Sequence, residues 1–394
     1  MMFISSFKKT FIIAILSLSC FYVHSQPLSH QKHSVLAQTT TSASCRDRFL
    51  WPFSATSIWN TAIGSDAIYL DAGIYPAETG ALGPPNGIHN DQDWLIKTTS
   101  NDPYVNWIDD SGNFPGLCTA NGPVHAQIPF PTNFSTDCVA NNNGAGVLLP
   151  DNVTLVQMQP LYVPKPGGPI IAWWHTGAPQ PFPWNVSILG DGALGAHGGS
   201  GLSSFGGTLR SGELSAASLP IAHALKLELW AHAYYYFNWT TRNYSSCFTW
   251  PAVGCDSYWD HTGSGYNGTN PFLKPGALLA VPPTRAPTVF TQLVTIPGRR
   301  ILQALTDYGG YIVDDTGSQV GGGALCAERQ VSAELEAEYG FSWFIENPLT
   351  SSQGIPLYND LVAIFRALSI VVNNDAEHIG GGGIPRQPPP PPIC

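Results

Sequence analysis

The chain has 394 residues, of which only 11% are charged, with 27 Asp and Glu against 17 Lys and Arg and a net charge of −10. Nucleic-acid binding leans on Lys and Arg at phosphates, so this balance excludes nucleic acid as a partner and disfavours strongly anionic polymers. Forty Gly and 34 Pro favour turns and strands over long surface helices.

Residues 1–25 read as a signal peptide. Lys8 and Lys9 precede an apolar run from Phe11 to about Val23, and Ser25 supplies a small residue at a cleavage point. The run is short for a bilayer span, and no later stretch is longer, so no membrane insertion of the mature chain is expected. Cleavage removes two Lys and no acid, which moves the net charge from −10 to −12. Residues 26–44 are polar and read as a disordered lead-in, 45–379 as one large β-rich domain or two intimate lobes, and 380–394 as a Gly- and Pro-rich tail acting as an extended spacer.

Within the body, strand signals dominate the first two thirds: Val153 to Val156, Leu161 to Val163, Pro169 to Trp174, and a long run from Ile221 to Phe237. In that run His223, Leu225, Leu227 and Leu229 share one face, and Lys226 and Glu228 share the other. Pro297 opens a helix through Ile301, Leu302 and Leu305 that Gly309 and Gly310 stop, and Tyr311 to Val313 follow as a strand. Val331 to Tyr339 and Leu357 to Leu368 have helical periodicity. The pattern predicts a mainly β fold: a β-sandwich or jelly-roll-like body with a small α/β element appended near the C-terminus.

Seven Cys remain after cleavage, which fits an oxidising compartment. Spacing suggests Cys118 with Cys138 and Cys247 with Cys255, while Cys45 takes Cys326 or Cys394. We carry Cys45 with Cys326 as the working pair, leaving Cys394 for contact with another chain. N-x-[ST] sequons stand at Asn133, Asn152, Asn185, Asn238, Asn243 and Asn267, the pattern of a secreted, extracellular glycoprotein.

Candidate chemistry falls in four places. The glycine-rich run around His197 brings backbone close to a ligand or a neighbouring strand, and it matches neither a phosphate loop nor a G-x-S-x-G elbow. His223 is either a buried core imidazole or a general acid or base. The carboxylates Glu213, Asp307, Asp314, Asp315, Asp109, Asp110 and Asp191 could supply the acid pair of glycoside cleavage. Asp314-Asp315 and Asp109-Asp110, each followed by a small residue and Gly, also read as turns, where a structural calcium ion is conceivable. No cofactor and no transition-metal site is expected, since no tight ligand spacing exists. Trp173, Trp174 and His175 suit stacking on a sugar.

Several motifs together resemble a group of secreted bacterial and fungal β-rich proteins without an assigned activity. They are Ser57-Ile58-Trp59-Asn60, the run from Gly206 to Leu214, Ile221 to Leu225, Lys274 to Ala277, and Ile301 to Gly309 continuing to Asp315. The resemblance covers most of residues 50–372 and implies His223, Glu213 and Asp315 as shared positions. It also implies an Asp and a His before the central strand and a Glu ahead of the following Trp; here those places hold Asn152 to Leu155 and Ala172.

Two functions of different class fit these signals. One is a secreted carbohydrate-active enzyme, a glycosidase or polysaccharide lyase, with His223, Glu213 and Asp315 catalytic and His197, Trp173, Trp174 and His175 binding the glycan. The other is a non-catalytic extracellular glycan-binding or cell-wall matrix glycoprotein. The enzyme assignment requires His223, Glu213 and Asp315 to meet in one cleft.

Overall fold

Two sheets organise the chain. The structure, a computed structural model, describes residues 45–75, 88–109, 118, 122–138, 143–172, 185–316, 322–341, 343 and 355–394. Residues 1–25, read as a signal peptide, residues 26–44, Asp110, Trp173, Trp174 and His175 lie outside the described residues.

The strands are β1 (Tyr69–Asp71), β2 (Ile88–Lys97), β3 (Tyr104–Asp109), β4 (Val124–Pro129), β5 (Ala145–Leu148), β6 (Thr154–Met158), β7 (Leu161–Tyr162) and β8 (Ile170–Ala172). They continue with β9 (Asn185–Ser187), β10 (Leu194–His197), β11 (Leu225–Leu229), β12 (Leu278–Ala280), β13 (Gly310–Asp315), β14 (Gly323–Glu328) and β15 (Ser369–Val371). The helices are α1 (Ala231–Tyr234), α2 (Ala286–Gln292), α3 (Ile296–Asp307), α4 (Gln330–Tyr339) and α5 (Ile355–Arg366). Ten strands form one mixed sheet in the order β1-β15-β12-β13-β11-β14-β2-β5-β6-β9, and four form a second, β4-β3-β8-β7.

The chain is mainly β, as its composition suggests. Trp107, Ile128 and Ile170 of the small sheet pack with Ile96, Val147 and Val156 of the large one, which makes a sandwich at that end. The C-terminal α/β segment is not an appendage. β13 lies between β12 and β11, and β14 between β11 and β2, so this segment supplies the middle of the large sheet.

Alternation along β11 sets the two faces of that middle. Leu225, Leu227 and Leu229 enter one core with Ile312, Leu325, Ile301 and Leu305 of α3, and Leu361 and Phe365 of α5. Lys226 and Glu228 point the other way, yet they are 0% and 2% exposed. That face is roofed by residues 194–209 and by Phe53, Trp59 and Phe205. The strand is shorter than the expected run from Ile221 to Phe237. Before it, the His223 ring folds back so that Nδ1 meets the Ala224 carbonyl at 2.8 Å. After it, Asp315 Oδ1 accepts the Ala231 N–H (2.7 Å) and the Tyr235 hydroxyl accepts the Leu229 N–H (2.9 Å), which turns the chain into α1.

The expected helix from Pro297 forms as α3. Thr295 caps it by accepting the Gly298 N–H, and Gly309, at φ +74°, follows its C-terminal end in the left-handed region. Asp314 and Asp315 are the last two residues of β13, and Gly317 of the turn read from their sequence lies outside the described residues.

Cys118–Cys138 and Cys247–Cys255 pair as expected from spacing. Cys45 pairs with Cys394 and not with Cys326, which is free and buried. Cys394 is therefore used within its own chain. Its segment is no spacer: Arg46 N–H donates to Pro392 O (2.8 Å), Gly64 N–H to Gly380 O (3.0 Å) and Arg386 N–H to Ile63 O (3.0 Å), so the tail lies along the first described residues. Among the described residues no helix is long and apolar enough to cross a membrane.

Candidate functional site

The three residues of the expected catalytic set do not meet. His223 Nε2 lies 3.0 Å from Glu213 Oε1, just ahead of β11. Asp315 stands opposite Leu229 at the other end of that strand. Five strand residues separate the two places, on the order of 15–20 Å at the usual rise.

The His223–Glu213 pair is packed in. Burial pulls the Glu213 carboxyl upward, but the facing His223, the Arg210 N–H and the Arg210 charge outweigh it, and the group ends below its usual range. Burial likewise opposes the His223 imidazolium, and Glu213 overrides it, so His223 ends above its ordinary value. Around the pair, Ser211 and Gly212 donate N–H groups to Glu328 and Glu334. This network ties residues 210–213 to β14 and α4.

The densest chemistry lies on the roofed face of the large sheet. In the β11–β14 register Leu227 faces Leu325, so Lys226 and Cys326 are neighbours, and Cys326 in turn faces Asp91 of β2. A bulge between Leu227 and Glu228 sets Glu228 opposite Asp314. That irregularity brings two carboxyl groups side by side. His197, at the end of β10, is 0% exposed and reaches down onto the same face. Only a glycine fits beside it at position 144, where a Cβ would lie 2.7 Å from Asp93 Oδ1 and 3.0 Å from the His197 ring. Gly198, at φ +55°, likewise backs onto the Asp314 carboxyl.

Charges here are sorted by their partners. Asp93 accepts from Lys226 Nζ (2.7 Å) and Thr208 Oγ1 (2.6 Å). Burial drives its carboxyl up, and the Lys226 and His197 contacts more than offset this, so it ends below the usual value. Glu228 is pushed well up by burial, then by Asp91 and Asp314. Asp314 is pushed well up by burial and by Asp256, while Gln159 donates to its Oδ2 at 3.2 Å. Burial also raises Asp91 and the Cys326 thiol.

A second carboxyl pair adjoins this cluster past the end of β13. The Tyr258 hydroxyl donates to Asp315 Oδ2 at 2.6 Å and also reaches Asp256. Tyr266 donates to Asp256 Oδ2 at 2.6 Å. Burial, then the Asp315 charge, lifts Asp256 from 3.8 to about 6. Tyr258 and Asp315 are half-buried, so this pair borders solvent.

The other candidates lie elsewhere. Asp191 is exposed and caps the Ala193 N–H, Asp307 accepts from Gln387, and Asp109 ends β3. A cleft of about 700 Å³ lies between α2 and α5, but its lining of Asp71, Arg285 and Arg366 offers no acid pair. Trp239 and Trp259 pack with Phe237 as part of the core's edge, with ring centroids 5.2 and 4.4 Å from it.

Sequence reasoning singled out His197, Asp314 and Asp315 and left either Cys326 or Cys394 as the odd thiol, but it missed Asp91, Asp93, Lys226, Asp256 and Tyr258. Two signals were there to use. Lys226 and Glu228 alternate with leucines, and Asp91 and Asp93 alternate within a strand that starts at Ile88. No family model matches the chain, and neither a curated protein nor a solved structure matches it.

Proposed function

We propose that this protein is a secreted, glycosylated enzyme that cleaves carbohydrate, and that Asp256 and Asp315 carry the reaction. The observation behind this reading is the Tyr258 hydroxyl bridging the two carboxyl groups. Two hydrogen-bond lengths across one oxygen bring the facing carboxyl oxygens to no more than about 5–6 Å from each other, a range that includes the roughly 5 Å used for retaining glycoside cleavage. Asp256, lifted to about 6, holds the proton that the leaving oxygen takes. Asp315 attacks the sugar carbon as its carboxylate, oriented by the Ala231 N–H and Tyr258 O–H. Water then releases the sugar with Asp256 acting as base. Tyr266 fixes the acid's orientation.

The leader-like first 25 residues, three disulfides and the exposed sequon asparagines Asn133, Asn243 and Asn267 support secretion and glycosylation. The test is product release from a panel of neutral and acidic polysaccharides. The reading expects turnover by the wild type and a loss of at least about 100-fold in Asp315→Asn, the scale of a positioned acid or base. Unsaturated products would turn the assignment to a lyase. Retention on insoluble glycan without any product would replace it with the binding glycoprotein.

A further inference from the structure

We propose that Asp91, His197, Glu228 and Cys326 form a binding site for a zinc-type divalent metal ion. The inference does not depend on the carbohydrate reading, because the ligands are distinct from Asp256 and Asp315.

The four side chains offer one donor atom each, and all four atoms lie within 4.8 Å of one another. Cys326 Sγ is 3.7 Å from His197 Nε2 and 3.5 Å from Glu228 Oε1, and His197 Nε2 is 3.7 Å from Asp91 Oδ2. A tetrahedral ion with the usual zinc bond lengths has ligand–ligand edges of about 3.3–3.6 Å. The observed edges are close to those values, and the N···O edge is too long for a direct hydrogen bond.

An unpartnered atom points to the same spot. Asp91 Oδ2 is buried without a hydrogen bond, whereas Asp93 Oδ1 has His197 Nε2 as its ion-pair partner at 3.3 Å. Buried polar atoms are nearly always paired, so the Asp91 orphan calls for a missing partner. A cation at the centre of the four donors would satisfy it directly.

With Nε2 on the metal, His197 Nδ1 would carry the proton; it makes no hydrogen bond, and Asp314 Oδ2 lies 4.0 Å away, so the Asp314 carboxyl faces the ring without holding it. A thiolate with an imidazole selects zinc over calcium or magnesium, which take oxygen ligands. Four protein ligands make a closed site, so the ion would join β2, β11 and β14 to the roof that β10 begins.

The full-length protein, purified without chelator, is assayed for metal and then reconstituted with cobalt. We expect one zinc per chain and, with cobalt, a thiolate-to-metal charge-transfer band that Cys326→Ser abolishes. Folded wild type that takes up neither metal overturns the proposal, as does a band that survives in Cys326→Ser. Should that variant not fold, X-ray absorption of the wild-type zinc form decides: one sulfur with nitrogen and oxygen neighbours supports the site, and a shell without sulfur overturns it.

Discussion

Asp93 and Asp256 are both buried, yet their carboxyls are shifted in opposite directions. Lys226 and His197 hold Asp93 down against its burial, whereas burial and the charge of Asp315 lift Asp256 to about 6. The lift has two consequences with definite signs. As a proton donor Asp256 is competent below about 6, so turnover limited by the acid falls roughly tenfold per pH unit above it. In stability, a carboxyl raised on folding favours the folded state below its unfolded value, and this contribution is lost as pH rises through the folded one. Between about pH 4 and 6 the contribution of Asp256 therefore declines, by roughly 3 kcal/mol for a shift of this size. Urea denaturation across that range should show the decline in the wild type and not in Asp256→Asn. Equal pH slopes in the two proteins would remove Asp256 as the perturbed group. His223 was legible as a residue with two readings, and its contacts favour the structural one. Its choice depended on whether Glu213 and Asp315 both lay near it, and the distance between His223 and Asp315, 92 positions apart in the chain, has no trace in local sequence.

At the scale of elements, β11 explains why part of the site could be read and part could not. Its alternation separated Leu225, Leu227 and Leu229 from Lys226 and Glu228 correctly. Alternation in one strand does not say whether the polar face meets water or a roof. Here it meets the glycine-rich segment, and Lys226 ends with its ammonium 2.7 Å from Asp93 and no exposed surface. Lys226→Met keeps the stem's packing but leaves Asp93 charged and buried with its main partner gone. Loss of one member of a buried pair costs about 3–5 kcal/mol, and the midpoint of chemical denaturation should fall accordingly. A change below about 1 kcal/mol would mean that water reaches Asp93. The helices α3, α4 and α5 were the most legible elements, since a Pro start, a Gly stop and apolar periodicity are local signals. The partners of β13 and β14 were not, because strand order is a property of the assembled sheet.

Across the whole molecule, the tail changes the account most. Its Gly and Pro content reads as a spacer, but Gly380, Gly381, Gly382 and Gly383 all adopt positive φ and fold the chain back against residues 62–67. Backbone hydrogen bonds and the Cys45–Cys394 link then close a loop with a sequence separation of 349. In the chain-entropy view such a closure contributes up to about 6 kcal/mol. Cys394→Ser should lower Tm, and the wild type should run as a single chain on a non-reducing denaturing gel. A covalent dimer would contradict the intrachain link. With that link made, Cys326 is the odd thiol, and its place among Asp91, His197 and Glu228 gives it a chemical use.

If the proposed function holds, turnover depends on the Asp256–Asp315 pair at the end of β13 and not on His223 ahead of β11. The most direct measurement is turnover of one responsive polysaccharide by Asp256→Asn and His223→Ala, each corrected for its folded fraction. The account predicts a loss of at least about 100-fold in the first and unchanged turnover per folded molecule in the second, with His223→Ala losing stability instead. Full activity in Asp256→Asn, or a folded His223→Ala that is inactive, would contradict it.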